Sequence, residues 1–320
     1  MISVIITVYD RIEFYAEAIK SINVQSCKDG LIEIIVVSNI RLENLKSDRF
    51  PIIYIESLYQ NLSSKIVEAV KKSSCPIIAF LEDDDLWDTD KAINILETFA
   101  QDKSIDFYHN GYIFFRNQNN ISGDVRKFSK ARSVKVIEAE LIRTNTKIYN
   151  YVYSKKASYN LSSMAIRKDI FLKGIEVFFA AGNDYIDNFL FFEFITWGRK
   201  IAIESKLLTY IRIHPNNHSG MNLGKGISSY ETALNFLLSY SRDTLVLNNV
   251  THLITRNRLD VLMKSGTFSK RSLIFLAGNN FKVSLICKRF PDIDLVLKVL
   301  LAFLSFQVFK SFITKYHLNS

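Results

Sequence analysis

The sequence predicts an α/β fold over most of the chain, followed by a helical extension. Short β-branched runs alternate with amphipathic segments over about the first 110 residues, which is typical of an open sheet with helical crossovers. The run LIEIIVV at 31–37 is almost wholly apolar, as expected for a strand buried on both faces. Long helical patterns replace this alternation beyond about residue 228. We therefore expect a boundary near residue 220, with an α/β domain at 1–220 and a helical region at 221–320.

The individual elements follow from the local patterns. Strands are predicted where β-branched and aromatic residues cluster between turn residues, at 3–8, 31–37, 52–55, 76–81, 105–108 and 161–166. Helices are predicted where apolar residues recur at helical spacing, at 12–23, 63–72, 91–99 and 187–197. The segment 200–212 is predicted to form two short strands, and 112–160 is predicted to be irregular.

Composition narrows the class of protein. Hydrophobic residues make up 48% of the chain and charged residues 23%, which indicates a globular protein with a core. The three cysteines are far apart and have neither the spacing of a zinc site nor that of a disulfide framework. No basic stripe with interleaved aromatic residues is visible, so we expect no nucleic-acid partner. The sequence leaves the oligomeric state open.

The apolar segment at 295–314 (LVLKVLLAFLSFQVFKSFIT) predicts an amphipathic helix at a membrane surface. Its uncharged stretch between Lys298 and Lys310 has about half of the roughly 20 residues that a spanning helix needs. A net charge of +9 favours an anionic membrane surface or a phosphate-bearing substrate. The first residues lack the basic start of a secretory signal. We therefore expect a cytoplasmic protein, peripheral at the inner face of the cell membrane; packing of this helix on its own domain is the alternative.

Four consecutive carboxylates, residues 82–85, directly follow a predicted buried strand in the segment FLEDDDLWDTD. Ligands of open α/β sheets bind at the carboxyl ends of strands, which is where these acids lie. A divalent cation, Mg²⁺ or Mn²⁺, would neutralise them, because both ions prefer oxygen ligands. The alternative, a favourable contact with a helix N-terminus, suits Asp88 and Asp90 better. We call residues 82–85 the acidic loop.

The segment FLEDDDLWDTDKA resembles the Asp-x-Asp segment of family 2 glycosyltransferases of the GT-A fold. Four further segments resemble motifs of that family in the same order, namely SVIITVYDR (3–11), LIEIIVVSN (31–39), NLSSMAIRKDI (160–170) and LTYIRIH (208–214). The resemblance covers about residues 1–220. It implies a Rossmann-like mixed sheet flanked by helices, a nucleotide-diphospho-sugar donor such as a UDP- or GDP-sugar, a divalent cation and an inverting mechanism.

The resemblance also implies roles for residues that would bind the nucleotide. Thr7 and Tyr9 match positions that line the base and ribose, and Lys65 matches a basic position near the diphosphate. Asn39 stands where the family has an Asp that contacts the base. The amide keeps an acceptor oxygen but not the charge, so the identity of the base is in doubt.

Around the acidic loop, the resemblance implies Asp84 as a direct metal ligand, with Glu82 completing an E-x-D version of the motif. Glu82 or Asp83 would reach the ribose or a metal-bound water, and Asp85 would orient the donor sugar. Within YIRIH, Arg212 matches a diphosphate contact and His214 a late metal ligand.

An inverting transferase needs a general base that removes a proton from the acceptor hydroxyl. The resemblance places this base at the start of a helix, where Asp184 and Asp187 compete; their spacing to Arg212 favours Asp187, and the other would cap the helix. The acceptor is expected to be a lipid-linked or cell-surface glycan. Two other functions remain open at this point, a nucleotidyltransferase-like enzyme and an inactive GT-A binding module at the membrane.

Overall fold

A computed structural model describes residues 1–9, 13–43, 45–116, 131–175 and 186–214. Within these ranges nine strands form one mixed sheet. The strands are β1 (Ile2–Val8), β2 (Ile32–Ser38), β3 (Ile52–Glu56), β4 (Ile77–Glu82), β5 (Leu86–Trp87), β6 (Ile105–Phe115), β7 (Val134–Glu138), β8 (Met164–Arg167) and β9 (Lys200–Arg212). Their order is β3-β2-β1-β4-β8-β6-β9-β5, and β7 pairs with β9. The predicted α/β class with a mixed sheet is confirmed.

Helices flank the sheet. In the described ranges they are α1 (Tyr15–Asn23), α2 (Leu62–Lys72), α3 (Lys91–Gln101), α4 (Ala139–Thr144), α5 (Thr146–Ser154), α6 (Lys168–Lys173) and α7 (Ile186–Trp197). A short 3₁₀ helix, Leu161–Ser163, precedes β8. The start of α2 is set by Asn61, whose side-chain oxygen accepts a hydrogen bond of 2.8 Å from the Ser64 backbone N–H.

The first half of the sheet explains why the sequence there is so apolar. Strands β1, β2, β3 and β4 are parallel, and every residue of β1 and β2 is buried. Val4 and Ile6 of β1 belong to an apolar cluster with Ile19 and Ile22 of α1. Each such side chain contributes roughly 1.5–3 kcal/mol on burial. The register places Thr7 opposite Glu82, so β1 and β4 end side by side.

The second half of the sheet is held together by β9. This strand is parallel to β6 and antiparallel to β5 and β7. It joins α7 through Gly198, where a Cβ atom would overlap the Phe194 ring. A larger residue at position 198 would therefore force α7 away from the turn that leads into β9.

Several predicted elements need correction. The strand predicted over 161–166 begins only at Met164, because Ser163 N–H donates to Asn160 O and closes the 3₁₀ turn. The two short strands predicted over 200–212 are one strand, since irregularities of register between β6 and β9 absorb the break in pattern. The segment 112–160 contains the end of β6, all of β7 and helices α4 and α5, so it is not irregular throughout.

The chain divides into two units, Met1–Asn222 and Leu223–Ser320, and only the first contains described residues. The helical region predicted at 221–320 and the surface helix predicted at 295–314 therefore lie outside the described residues and stay predictions. Among the helices of the described ranges, none combines the length and the apolarity required to cross a bilayer.

Candidate active site

The ends of β1 and β2 and the first turn of α2 bring together four residues predicted to bind the nucleotide. Lys65 is fully buried, and its Nζ atom donates to Asn39 Oδ1 and, at 3.4 Å, to Val8 O. The same Nζ atom lies 4.2 Å from the centroid of the Tyr9 ring. Thr7 is 8% exposed at the end of β1. A cation, an aromatic face and an amide thus meet at the carboxyl edge of the sheet, a suitable surface for a nucleotide.

Two hydrogen bonds fix the orientation of the Asn39 side-chain amide. Its Oδ1 atom accepts from Lys65, and its Nδ2 atom donates to Gln60 Oε1 at 3.0 Å. Where the family pattern has a carboxylate, this chain therefore has an amide that is held by a buried lysine. The lysine contributes a positive charge where the family residue would contribute a negative one.

The acidic loop is a tight turn after β4, closed by a hydrogen bond of 3.1 Å from Asp85 N–H to Glu82 O. Asp83, Asp84 and Asp85 are buried, at 0%, 5% and 2% exposure. Asp83 Oδ2 accepts from the backbone N–H of Tyr9 at 3.1 Å. This bond joins the acidic loop directly to the nucleotide-side residues at the end of β1.

Asp85 is held by hydrogen bonds from three residues. Its Oδ2 atom accepts from Ser162 Oγ at 2.6 Å and from Asn160 Nδ2 at 3.1 Å, and its Oδ1 atom accepts from Arg212 N–H at 3.0 Å. Burial, together with the charge of Asp84, raises the pKa of Asp85 to about 7. The carboxylate thus fixes the acidic loop to two neighbouring segments, and its predicted contact with the donor sugar stays a prediction.

Lys91 lies fully buried beneath the acidic loop. Its Nζ atom donates to Ser162 O and, at 2.8 Å, to Thr209 Oγ1, and it lies 4.6 Å from the Trp87 ring centroid. Burial lowers the pKa of Lys91 well below its usual range, and the Asp85 carboxylate opposes that shift. The Lys91 side chain therefore ties α3 to the segment before β8 and to β9 beneath the acidic loop.

Arg212, at the end of β9, binds the acidic loop through its backbone and its side chain. Besides its backbone N–H bond to Asp85, its Nε atom donates to Asp84 O at 2.8 Å, and its guanidinium pairs with Glu17 at 2.5 Å. The guanidinium also lies over the Phe14 and Phe115 rings. These contacts support the loop, and the predicted diphosphate contact of Arg212 is not tested by them.

Two of the predicted metal ligands are in contact. His214 Nε2 lies 2.9 Å from Asp84 Oδ2. This separation is that of a hydrogen bond between the imidazole and the carboxylate, so both side chains reach the same point of the acidic loop. Glu82, the third predicted ligand, accepts a hydrogen bond of 3.3 Å from Asn160 Nδ2. Within the described ranges, no group of three or more His, Cys, Asp or Glu side chains forms a complete metal cluster. The donor set therefore suits a hard cation that takes its remaining ligands from water and phosphate.

Asp187, in the first turn of α7, is joined to the acidic loop through Asn160. Its Oδ2 atom accepts from the Asn160 backbone N–H at 3.1 Å, and its Oδ1 atom accepts from the Asn188 backbone N–H at 2.8 Å. Burial raises the pKa of Asp187 to about 6. A carboxylate in this range is ionised at neutral pH but holds a proton more readily than an exposed one, as suits a general base. Asp184, the competing candidate, lies outside the described residues.

Sequence analysis missed three residues that organise this site, namely Asn160, Ser162 and Lys91. Asn160 has φ of +65°, which is unusual for a residue other than glycine, and no sequence pattern announces it. Ser162 lies within a segment used for the resemblance but was given no role. A signal did exist for Lys91, because a cation is disfavoured in the first turn of a helix unless something binds it.

Comparisons with known proteins identify the family of the chain. Residues 3–174 match the profile of the family described as glycosyl transferase family 2. No curated protein matches the chain by sequence.

Similar solved structures share the fold at low sequence identity. S. aureus TarS 1–349 in complex with UDP-GlcNAc is 12% identical, with a TM-score of 0.61 over 89% of this chain and 81% of that one. A further structure of TarS 1–349 is 13% identical, with a TM-score of 0.51 over 94% and 90%. The mannosyltransferase PcManGT from Pyrobaculum calidifontis, in complex with GDP-Man and Mn²⁺, is 10% identical, with a TM-score of 0.50 over 89% and 80%.

Proposed function

The chain belongs to glycosyl transferase family 2 and is a glycosyltransferase, and on that premise we propose that it transfers a sugar from a nucleotide-diphospho-sugar to an acceptor hydroxyl with inversion at the anomeric carbon. One observation carries this proposal: Asn160 binds Asp187 through its backbone and the acidic loop through its side chain. A candidate base and a candidate phosphate site are thus held at a fixed separation, as a single displacement requires.

The donor would bind where β1, β2 and the acidic loop end together. Tyr9 offers a ring face for the base, and Thr7 lies beside it at the end of the strand. Asn39 would present its amide to the base or ribose, and the fully buried Lys65 would hold that amide in place. TarS was solved with UDP-GlcNAc and PcManGT with GDP-Man, so a UDP- or GDP-sugar is the donor class we propose.

Asp84, His214 and Glu82 would hold a divalent cation, Mg²⁺ or Mn²⁺. When bound, such an ion stabilises the negative charge that develops on the leaving diphosphate. Asp83 acts on the opposite side of the loop, where its bond to Tyr9 N–H holds β1 in register with the acidic loop. PcManGT was solved with Mn²⁺, which supports the choice of ion.

Asp187 would accept the proton of the attacking hydroxyl. Its two backbone hydrogen bonds, from Asn160 and Asn188, keep the carboxylate aimed, and partial enclosure keeps its pKa near the working pH. Asp184 remains the alternative base.

We further propose that the acceptor is a lipid-linked or cell-surface glycan and that the protein works at the cytoplasmic face of the membrane. The charge of +9 and the segment 295–314 support this. Sedimentation with phosphatidylglycerol vesicles tests it: intact protein should bind, and the double variant Phe303→Asp with Phe306→Asp should not. Equal binding of both would refute membrane docking by this segment.

A thermal-shift panel of UDP- and GDP-sugars with Mn²⁺ or Mg²⁺ tests the core proposal, because a ligand that binds only the folded state raises the melting temperature. Asp84→Ala should lose the metal-dependent shift. Asp187→Ala should keep the shift but lose transfer and donor hydrolysis. Asp48→Ala, an exposed change, is the matched control. If no nucleotide-sugar stabilises the wild-type protein or is hydrolysed by it, the proposal fails.

A further inference from the structure

Three aromatic rings form a row beside the candidate base. Tyr112 and Phe114 are two residues apart on β6, so they lie on the same face of the strand. Their ring centroids are 5.6 Å apart, and the Tyr159 ring lies 5.4 Å from that of Tyr112. Phe114 is 46% exposed and Tyr159 is 37% exposed. We call these three residues the aromatic row.

The row faces away from the apolar core on this part of the sheet. The alternate residues of β6, Ile113 and Phe115, pack with Leu86 and Tyr210 instead. Exposed aromatic side chains that form a contiguous patch mark candidate binding surfaces. The aromatic row is therefore a candidate for ligand contact.

One end of the row adjoins the proposed catalytic centre. Tyr159 directly precedes Asn160, which hydrogen-bonds Asp187, Glu82 and Asp85. The ring positions then lead from Tyr159 through Tyr112 to Phe114. A ligand that lay along the row would have one end at the candidate base and the rest against the three rings, whose planes are inclined by 49° between Tyr159 and Tyr112 and by 76° between Tyr112 and Phe114.

The backbone presents Tyr159 in a fixed position. His109 Nε2 lies 3.1 Å from the Tyr159 carbonyl oxygen, and burial lowers the pKa of His109 to about 4, so its neutral ring donates this bond. Tyr159 N–H donates to Lys156 O at 2.9 Å. Lys156 and Asn160 both have positive φ, at 58° and 65°. Such backbone strain persists where the surrounding structure holds it and is common at ligand sites.

We propose that the aromatic row is the acceptor subsite and that it binds a neutral saccharide whose ring lies against Tyr159 and Tyr112, with the next unit over Phe114. This inference rests on the proposed transferase function and specifies its acceptor. The C–H face of a sugar ring carries a weak positive potential that complements the negative face of an aromatic ring. The two tyrosine hydroxyls would exchange hydrogen bonds with sugar hydroxyls.

The charges near the row favour a neutral saccharide over a phosphate-rich acceptor. Burial, Tyr112 and the carboxylates of Asp187, Glu82 and Asp85 raise the pKa of Tyr159 to about 12. Burial also raises the pKa of Tyr112, so both hydroxyls stay neutral at physiological pH. An anionic group placed here would be repelled by the same carboxylates. A lipid chain would require a wider apolar patch than three rings with two hydroxyls provide.

Saturation-transfer NMR on the full chain with UDP and diamagnetic Mg²⁺ tests the proposal. The probes are cellobiose, N,N′-diacetylchitobiose and maltose, and glycerol and glycerol 1-phosphate are the compounds without a ring. Irradiation of aromatic protons should transfer to C–H protons of at least one disaccharide and to neither ring-free compound. Phe114→Ala and Tyr112→Ala should reduce the transfer at least about fivefold, whereas Tyr112→Phe, which keeps the ring, should preserve most of it.

Tyr151→Ala is the matched control, because this surface tyrosine contacts Lys135 and Lys155 rather than the row. Transfer to no disaccharide, equal transfer in the alanine variants, or preferential transfer to glycerol 1-phosphate would each overturn the proposal. Donor hydrolysis is measured on the same samples. If donor hydrolysis is intact and one of these outcomes is seen, only the role of the aromatic row as acceptor subsite is refuted. If no nucleotide-sugar is hydrolysed, the proposed transferase function itself is refuted.

Discussion

The backbone N–H of Asn160 donates a hydrogen bond of 3.1 Å to the Asp187 carboxylate, while the Asn160 side chain binds Glu82 and Asp85 of the acidic loop. One residue with positive φ thus connects the two parts of the proposed active site. Because the connection uses both backbone and side chain, substitutions at this position separate the two contributions.

We expect Asn160→Gly and Asn160→Ala to differ in stability but to share a catalytic defect. Both variants lose the amide that binds Asp85 and Glu82, so kcat should fall about 10–100-fold, equivalent to about 1.4–2.7 kcal/mol. Only alanine is strained at φ of +65°, which should cost a further ~1 kcal/mol or more in the free energy of unfolding. Urea denaturation and steady-state kinetics measure the two effects. Wild-type kcat in the glycine variant would show that the side-chain bonds do not position the loop.

The pH dependence of transfer should show an acidic limb with an apparent pKa of about 6, the value to which burial raises Asp187. The base is lost by protonation, so kcat/KM should fall about tenfold per pH unit below this value. Asp187→Asn should remove the limb and lower the rate about 10²–10⁴-fold. A limb that persists unchanged in this variant would transfer the role to another group, with Asp184 as the next candidate.

The ionisation of Asp187 also affects stability, and its effect on stability is opposite to its effect on activity: a rise in pH should increase the rate of transfer but destabilise the fold. Its folded-state pKa is raised from 3.8 to about 6. The stabilisation from protonation is therefore present below the unfolded value and is lost as pH rises through about 6. Asp187→Asn should accordingly raise the melting temperature relative to wild type at pH 8 but not at pH 4. If the Asp187→Asn variant melts at a lower temperature than the wild type at pH 8, burial of the ionised Asp187 carboxylate does not destabilise the fold.

Lys91→Met should strongly destabilise the protein. It removes the donor to Ser162 O and Thr209 Oγ1, a loss of about 1–3 kcal/mol in unfolding free energy. Lys72→Met, an exposed change in the last turn of α2, should shift it by less than about 0.5 kcal/mol. Chemical denaturation of the two variants distinguishes them. Similar midpoints would mean that the two hydrogen bonds of Lys91 do not stabilise the fold.

Lys65→Met should raise the donor KM about tenfold, because Asn39 Oδ1 loses its partner and Tyr9 loses the cation over its ring. Asn39→Asp should restore the carboxylate of the family pattern and pair it with Lys65. Comparing KM for UDP- and GDP-sugars then shows whether this position selects the base. Identical donor KM values in the Lys65→Met variant and the Lys72→Met control would refute a nucleotide-binding role for Lys65.

The fold and the family were predictable from sequence because they depend on repeated local patterns. The apolar runs of β1, β2 and β4 lie in the buried parallel part of the sheet, and the family and the mixed α/β class are confirmed. The strand at 161–166 was placed wrongly because the residues before Met164 serve the acidic loop rather than the sheet. The separate strands at 200–212 were wrong because a bulge between β6 and β9 is invisible in one sequence.

The candidate site was only partly predictable. Asp84 and His214 are 130 residues apart, and only the order of motifs indicated that they would meet. The unfavourable position of Lys91 in the first turn of α3 is visible in the sequence, but its partners Ser162 and Thr209 emerge only when α3 is packed against them. The role of Asn160 depends on a backbone angle that side-chain chemistry does not reveal. Local pattern thus indicates candidate reactive residues, whereas the residues that hold these candidates in place emerge only from the packed structure.

Helix α7 leads into β9 through the turn at Gly198, so residues 186–214 form one continuous unit. We call this unit the block, because recombination between relatives can transfer it whole. One end of the block carries Asp187, and the other carries Arg212 and His214, which bind the acidic loop. In a chimera that exchanges the whole block between relatives, the candidate base and the residues that bind the acidic loop would come from the same parent. A crossover at Gly198 would mix them, and also place a foreign turn against the Phe194 ring. Recombination among such enzymes should therefore favour junctions outside this block.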